Sequence, residues 1–433
     1  MTKRPPRCLL AAWLWALLAA GCGGGGGDAP ATAAPTPAAP TSEAPAPSAP
    51  TPAAPTPATP TAPTPVDPGP ATVTGPGAAP APSGPPMSGV SRVIVAGDSL
   101  ADVGTFGIKF TVQDAASPAG FPIFPELVGA AYGLSAMCSH YMDNGASGVI
   151  ARGNLPCTNF AVGGGRLLRG EGPQGIPFQL QDAAVTVGGR FGAGDLVLVN
   201  GGGNDASDLA AAYLVGVSSR SGMLAFLAFL AREVEVDALV STAPGDASLA
   251  RSANLYMEKA ADVMADAVVA HALDRGATRV TVLNLPDITL TPRFSAAFEK
   301  LVQERGVDEA TVIQGVVRQT VGAFNARLQS RLGSDGRVVL VDVRAAVDDQ
   351  IAHAAAWGLS DAIHAACPVT SVSSAGLPEW SLPTCTSASL DAVPGTAPGW
   401  WTTWAFADGF HPTPTGHRLL AGTVTQALAA ASP

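Results

Sequence analysis

Positive charge is scarce in this sequence, which argues against nucleic acid as a partner. Lysine and arginine number 24 against 34 aspartates and glutamates, and the formal net charge is −10. Proteins that bind nucleic acid carry clustered basic residues, and no basic stripe with interleaved aromatic residues occurs in this chain. We therefore expect a protein that does not bind nucleic acid, and we expect it to be a monomer.

Cysteine is also rare, and its placement favours disulfides over metal binding. Of the six cysteines, two fall in the N-terminal segment described below. No C-x-x-C spacing occurs, so a structural zinc site is not expected. An even number of remaining cysteines, in a chain bound for an oxidising compartment, indicates disulfides. Three pairings are possible, and the one that closes the shortest loops joins Cys138 to Cys157 and Cys367 to Cys385.

Motifs that would assign a different chemistry are missing. The chain has no H-E-x-x-H of zinc proteases, no Walker loop and no G-x-S-x-G serine turn. The stretch 201–206 matches G-x-G-x-x-A, but the first strand of the domain does not carry it, so it is a weak signal for a dinucleotide site. We expect neither a metal nor an organic cofactor.

Long apolar runs are absent as well, apart from a short one near the N-terminus. A membrane-spanning helix needs about 20 apolar residues, and the stretch 8–20 is shorter. It follows basic residues and ends at Gly21-Cys22, which is typical of a bacterial lipoprotein signal peptide over residues 1–22. Cys22 would receive the lipid, so we expect a lipid-anchored protein of the cell envelope, at the outer membrane. The alternatives are an uncleaved anchor and an ordinary secretory peptide.

The next segment, residues 23–88, has almost no aliphatic side chains beyond alanine. It begins with glycines and continues in Ala, Pro and Thr repeats. Such a composition cannot bury enough apolar area to offset the entropy of ordering, so we expect a disordered spacer. The remaining residues, 89–433, are numerous enough for a domain with a full core.

Within this domain, strand-like apolar runs alternate with helix-like stretches. Runs such as "LVLVN" suit strands buried on both faces, and alternation with helices indicates an α/β fold with a parallel sheet. The predicted strands are 92–97, 158–162, 195–200, 278–284 and 337–343. The predicted helices are 122–132, 176–187, 223–240, 249–275, 309–332 and 413–430. The Ser- and Pro-rich region 358–399 breaks the pattern and is either a lid or a surface excursion stapled by a disulfide.

Three short stretches carry groups suited to acyl transfer. They are 97–100 (GDSL), 202–205 (GGND) and 408–412 (DGFHP). The first two directly follow predicted strands, and the third enters the last predicted helix. Because ligands bind at the carboxyl ends of parallel strands, we expect these stretches to meet in one site.

The residue types in these stretches are those of a nucleophilic serine site. Ser99 follows a tight Gly97-Asp98 turn, which would expose its hydroxyl at the end of a strand. His411 can accept the serine proton if a carboxylate holds its other ring nitrogen, and Asp408 lies three residues before it. The alternatives are a helix-capping serine, a helix-capping aspartate and a solvent-exposed histidine.

An ester-cleaving site also needs donors where negative charge develops. The candidates are the backbone N–H of Ser99, a backbone N–H in Gly163-Gly164, and the side-chain amide of Asn204. Either of these two glycines could supply the backbone donor. Turn chemistry alone would also explain the glycines and the asparagine.

Taken in order, these stretches resemble the SGNH (GDSL) hydrolase family. The matching blocks are "GDSLADVG", "NFAVGGG", "GGND" and "DGFHP", and "VLNLPDITLTP" is similar to a segment of the larger bacterial and plant-type GDSL lipases. The resemblance implies a flavodoxin-like, three-layer α/β/α sandwich. It also implies Ser99 as nucleophile, His411 as base and Asp408 as its orienting acid. Gly164 and Asn204 would join the Ser99 amide in the oxyanion hole.

The expected activity is that of a serine esterase or lipase acting on a small-molecule or lipid ester. Two alternatives use the same site, namely acyl transfer to an acceptor other than water and deacetylation of a carbohydrate. An alternative of another class is a surface-binding lipoprotein with a dead site. The pocket walls are expected in 104–125, 206–230 and 358–404.

Overall fold

The computed structural model describes residues 85–432, except 118, 136, 147, 154–155, 236–238, 240–245 and 374–375. The predicted signal peptide, Cys22 and nearly all of the predicted spacer lie outside these residues. None of the helices found in the described ranges combines the length and the apolar character that crossing a bilayer would demand. Met87, two residues before the expected boundary at 89, already lies against the core.

The described chain folds into alternating strands and helices. The strands are β1 (Arg92–Ala96), β2 (Tyr141–Asp143), β3 (Val149–Ala151), β4 (Asp195–Val199), β5 (Val280–Leu283), β6 (Val338–Val341), β7 (Asp361–Ala365), β8 (Val369–Val372), β9 (Pro378–Trp380) and β10 (Trp404–Phe406). The helices are α1 (Phe124–Ala131), α2 (Ile176–Thr186), α3 (Gly203–Gly216), α4 (Arg220–Leu230), α5 (Asp246–Val268), α6 (Pro292–Arg305), α7 (Val307–Leu332), α8 (Val343–Ala352), α9 (Ser387–Asp391) and α10 (Pro414–Ala430).

A four-stranded parallel sheet in the order β1-β4-β5-β6 forms the centre of the fold. Alternate residues of its strands face opposite helical layers, as the strand period of two requires. Ile94 and Val197 pack with the layer that contains α2, α3, α5 and α7. Val95 and Leu198 pack with the layer that contains α1 and α10. The predicted α/β fold with a central parallel sheet is therefore confirmed, and its apolar strand runs reflect burial on both faces.

The strand predicted over 158–162 is wrong. The segment lies along the free edge of β1, and the Val95 N–H donates to the Thr158 carbonyl at 2.9 Å. The Phe160 N–H donates back to the Val95 carbonyl at 2.7 Å, so the pairing amounts to an isolated parallel bridge between Val95 and Asn159. The Asn159 side chain makes further hydrogen bonds. Its amide donates to the Ala101 carbonyl at 2.8 Å, and its oxygen accepts the Ala161 N–H at 3.1 Å.

The predicted helices differ from the observed helices mainly where the sequence contains turn residues or where the helix is short. The helix expected over 223–240 is Arg220–Leu230. Helices α3, α6, α8 and α9 were not predicted. The start of α3 coincides with the GGND stretch, whose glycines and polar residues indicate a turn. Gly202 adopts a left-handed φ of 94° and so serves as the cap from which that helix begins.

The described part of the chain contains two disulfides, with the pairing that closes the shortest loops. One joins Cys138 to Cys157 and the other joins Cys367 to Cys385. The second lies within the region 358–399, which contains β7, β8, β9 and α9. Both of its cysteines pack in a small apolar cluster with Phe110. This cluster anchors the region to the body of the domain.

Candidate active site

The turn after β1 is built so that only glycine fits before Asp98. A Cβ atom at Gly97 would lie 1.9 Å from the Asn200 side-chain oxygen, so any larger residue would displace the Asn200 side chain that follows β4. The Gly97 N–H donates to the Gln179 side chain at 2.7 Å. These contacts bring the chain sharply out of the sheet and place Ser99 at the carboxyl end of β1.

Ser99, His411 and Asp408 lie together as one hydrogen-bonded chain. The His411 Nε2 atom is 2.9 Å from the Ser99 hydroxyl oxygen, and its Nδ1 atom is 2.8 Å from an Asp408 carboxylate oxygen. The three residues are only 7%, 5% and 8% exposed, respectively. His411 is therefore not a solvent-exposed histidine, and Asp408 does more than cap a helix. This arrangement can move a proton from serine to imidazole.

The Asp408 carboxylate also fixes the loop that carries it. One of its oxygens accepts the backbone N–H groups of Phe410 at 2.8 Å and His411 at 2.7 Å. Asp408 therefore both binds the His411 imidazole and stabilises the turn that brings the imidazole next to its carboxylate. A short loop therefore orients the histidine without help from another strand.

His417, six residues further on, has a different environment. It is fully buried, its Nδ1 atom accepts the Phe124 N–H at 3.4 Å, and its Nε2 atom lies 3.5 Å from the Phe110 carbonyl. Burial lowers its pKa to about 3. It is a neutral core histidine that helps to hold α1 against α10.

The glycine run after residue 162 offers one free donor. The Gly163 N–H donates to the Asp102 carboxylate at 2.8 Å, and the Gly165 N–H donates to the Val162 carbonyl at 2.9 Å. Within the described residues, the Gly164 N–H donates to no protein acceptor. Gly164 has a φ of 78°, which favours glycine. The geometry therefore favours Gly164 over Gly163 as an oxyanion donor.

The other two expected donors lie at the same cleft. The Ser99 N–H likewise has no protein acceptor among the described residues. The Asn204 side-chain amide uses one N–H to hold the Gly165 carbonyl at 3.0 Å. Asn204 lines the cleft with Ser99 and His411. Its second N–H is therefore available to a bound oxygen.

Charges around the site set the protonation of the histidine. Burial lowers the pKa of His411, but the charge and hydrogen bond of Asp408, together with the Asp98 charge, outweigh it and raise the pKa above 6.5. Burial raises the pKa of Asp408, but the His411 charge and the hydrogen bonds it accepts bring the pKa below its ordinary value. The pair therefore favours an imidazolium next to a carboxylate.

Sequence reasoning missed the buried carboxylates that support the site. Asp98 accepts the Asn200 amide at 2.7 Å. Asp102 accepts three backbone N–H groups, from Gly104, Thr105 and Gly163. Both acids lie inside the "GDSLAD" block, so their position in the motif was a usable signal.

Asp205 plays a similar part at the start of α3. It is fully buried and accepts the N–H groups of Leu167 at 3.0 Å and Leu168 at 2.8 Å. Burial raises the pKa of its carboxyl to about 7. Asp205 thereby ties the chain beyond the glycine run to α3.

A cleft with a cavity volume of about 150 Å³ opens beside Ser99 and His411. The predicted wall 206–230 contributes to it through residues of α3. Among the described residues, 104–125 and 358–404 contribute nothing to its lining, so those two predictions are wrong. Residues 283–297 line it instead, because the chain after β5 crosses the carboxyl edge of the sheet. Its apolar side chains include Ala211, Leu214, Leu285, Ile288, Phe294, Ala297 and Phe410.

The region 358–399 supports the catalytic loop from behind. Arg293 donates its backbone N–H to the Gly409 carbonyl at 3.0 Å and its guanidinium to the Pro378 carbonyl at 3.1 Å. A Cβ atom at Gly409 would lie 2.7 Å from the Trp380 ring. The described part of the region therefore supports the loop that carries Asp408 and His411, and it does not line the cleft.

Comparison with known proteins identifies a family for most of the chain. Residues 93–424 match the family described as GDSL-like Lipase/Acylhydrolase. A comparison with curated proteins finds no match. The matched span includes Ser99, Gly164, Asn204, Asp408 and His411, and it covers most of the chain. The chain therefore belongs to the GDSL-like lipase/acylhydrolase family, whose members hydrolyse ester substrates.

Proposed function

We propose that the protein is a serine esterase that works through an acyl-enzyme on Ser99. The observation that carries this proposal is the continuous chain from Asp408 through His411 to Ser99, next to two backbone N–H groups without protein acceptors. Ser99 Oγ attacks the ester carbonyl while His411 Nε2 takes its proton. The carbonyl oxygen gains negative charge and accepts hydrogen bonds from the Ser99 and Gly164 amides and the Asn204 side chain.

Collapse of the tetrahedral intermediate completes the first half-reaction. His411 returns the proton to the leaving alcohol, and the acyl group stays on Ser99. Water then attacks the acyl carbon while His411 takes one of its protons; the bond between the acyl carbon and Ser99 Oγ breaks, His411 returns the proton to Oγ, and the acid leaves. Asp408 holds the imidazole in the tautomer that both steps require. No metal or organic cofactor enters this sequence of steps.

The activity is tested with p-nitrophenyl esters from acetate to palmitate on the purified protein. The cleft has a mostly apolar wall and a cavity of about 150 Å³, so we expect shorter acyl chains to be turned over better than palmitate. Hydrolysis of no ester in the series would favour the surface-binding alternative. Product formation that depends on an added alcohol or glycan acceptor would favour the acyltransferase alternative, and activity confined to acetyl-carbohydrates the deacetylase.

The Asn204 amide should matter in the transition state more than in the ground state. We expect Asn204→Ala to lower kcat by roughly 10²–10³-fold with little change in KM, as loss of one oxyanion donor typically does. Steady-state kinetics on one ester measures both constants. An unchanged kcat with a raised KM would make Asn204 a substrate-binding residue instead.

Activity should rise with pH through the ionisation of His411. Only the neutral imidazole can accept the serine proton, and Asp408 raises the pKa of His411 above 6.5. The protonated, inactive form therefore persists to a higher pH than an isolated histidine would allow. A profile of kcat/KM against pH measures this ionisation. A flat profile between about pH 5 and 8, with chemistry rate-limiting, would remove His411 from the role.

We also propose that the protein is tethered to the outer membrane through a lipid on Cys22. The proposal rests on the signal-peptide pattern of residues 1–22 and the Ala/Pro/Thr-rich spacer that follows. Two or three acyl chains on one cysteine would hold the protein firmly, at about 0.8 kcal/mol per buried CH₂. Cys22→Ser should therefore release it from the membrane fraction with unchanged turnover. Full retention of that variant would show that the segment is an uncleaved anchor.

A further inference from the structure

The glycine run that supplies the oxyanion donor is held by side chains of one helix. The first two turns of α3 carry Asn204, Asp205 and Asp208. Asn204 binds the Gly165 carbonyl, and Asp205 binds two backbone N–H groups beyond the run. Asp208 reaches the run through Arg166. Of these three side chains, only Asp208 forms an ion pair in the described structure, and that pair with Arg166 lines the cleft.

Arg166 divides its guanidinium between α3 and the glycine run. Its Nε and Nη2 atoms bind the two Asp208 carboxylate oxygens at 2.8 and 3.2 Å. Its Nη1 atom binds the Gly164 carbonyl at 2.7 Å. The hydrogen bond to Asp208 raises the pKa of Arg166, so the cation is permanent. Both side chains are about three-quarters buried and line the cleft.

These contacts determine which way the Gly164 N–H points. The peptide after Gly164 is fixed at both ends, since its carbonyl binds Arg166 and its N–H binds Val162. The peptide before Gly163 is fixed as well, through the Gly163 N–H and the Asp102 carboxylate. The peptide between them carries the free Gly164 N–H, which makes no protein hydrogen bond in the described structure. Its orientation therefore depends on its two neighbours.

We propose that Arg166, held by Asp208, is a positioning residue that aims the Gly164 N–H at the developing oxyanion. Without it, a glycine at φ 78° has enough conformational freedom to rotate the adjoining peptides. The planar guanidinium of arginine has several N–H donors in a fixed geometry, so it can bind a carboxylate and a carbonyl at the same time, and the lysine ammonium cannot replace it. This inference rests on the proposed esterase function.

The kinetic test compares Arg166→Met with the wild type on one ester. We expect kcat to fall by about 10²-fold, because misplacing a reacting or stabilising group by about 1 Å costs that much, while KM changes little. Arg166→Lys should recover only part of the loss. Arg166→Met combined with Asp208→Ala should cost no more than Arg166→Met alone, because the two residues act as a unit.

A matched control comes from a second bidentate pair. Arg327 on α7 binds Asp262 at 2.8 and 3.1 Å and does not line the cleft. Arg327→Met should therefore leave kcat and KM unchanged. An Arg166→Met variant with unchanged kcat, or with a change in KM alone, would overturn the positioning role. If Arg166→Met does not fold, Asp208→Asn decides, with a smaller loss of kcat expected and an unchanged kcat overturning the proposal.

The labelling rate of Ser99 by a fluorophosphonate separates this inference from the function on which it rests. The phosphonyl oxygen occupies the oxyanion position as the adduct forms, so Arg166→Met should label more slowly than the wild type. Labelling of both proteins at the same rate would overturn the role of Arg166 and leave the esterase proposal intact. A wild-type protein that does not label at Ser99 would overturn both.

Discussion

Replacing Ser99 with alanine is expected to lower kcat for ester hydrolysis by about 10⁶-fold, to the residual rate that binding and the oxyanion donors alone supply. Among the described residues, the Ser99 hydroxyl is the group that lies within hydrogen-bond distance of His411 Nε2, at 2.9 Å, so its loss removes the acyl-enzyme route altogether. The fold should be unaffected, because this is the one hydrogen bond that the serine side chain makes in the described structure. Equal melting temperatures of variant and wild type would establish this.

Two further variants serve as controls for the Ser99→Ala result. Ser295→Ala, at a half-buried serine on α6, should keep the wild-type rate. Ser99→Ala combined with His411→Ala should be no slower than Ser99→Ala alone, because the two residues act in one step. A Ser99→Ala protein that retains more than about one-hundredth of the wild-type kcat would rule out Ser99 as the nucleophile.

The second large effect is expected from Asp408→Asn, with kcat lower by about 10⁴-fold. One Asp408 oxygen accepts the N–H groups of Phe410 and His411, so the asparagine must place its own oxygen there. Its NH₂ group then faces His411 Nδ1, which becomes an acceptor. The ring proton moves to Nε2, and His411 can no longer take the proton of Ser99.

The chain provides a closely matched control for this substitution. Asp361 and His364 have the same three-residue spacing, and Asp361 also accepts the N–H of His364 and bonds its ring at 2.8 Å. The His364 side chain is 67% exposed, whereas that of His411 is 7% exposed. Asp361→Asn should leave kcat unchanged. Equal losses from both substitutions would indicate a general effect on folding, and an Asp408→Asn variant near wild-type activity would contradict the tautomer argument.

These two pairs show what the sequence can and cannot predict about the site. Both read D-x-x-H, and only the tertiary structure buries one of them against a serine. Ser99, Asn204 and Asp408 were predictable because strand ends and turn residues place chemical groups at the same edge of a parallel sheet. The residues alone could not decide between Gly164 and Gly163, because the choice depends on the hydrogen bond that the Gly163 N–H donates to the Asp102 carboxylate across the loop.

The sheet was predictable for a different reason from the cleft. Strands β1, β4, β5 and β6 are apolar on both faces, and that pattern is visible in the residues themselves. The cleft wall at 283–297 was missed because it comes from a chain crossing above the sheet, which no local pattern signals. Arg166 was missed because its partner Asp208 lies 42 positions away.

The most direct measurement is the identification of the residue that a fluorophosphonate modifies in the wild-type protein. The label should be found by peptide mass spectrometry on the segment that contains Ser99, at one equivalent per chain, and should be absent from Ser99→Ala. Prior incubation with a good ester substrate should slow it. A label on a different serine, or equal labelling of the Ser99→Ala protein, would contradict the assignment of Ser99 as the nucleophile.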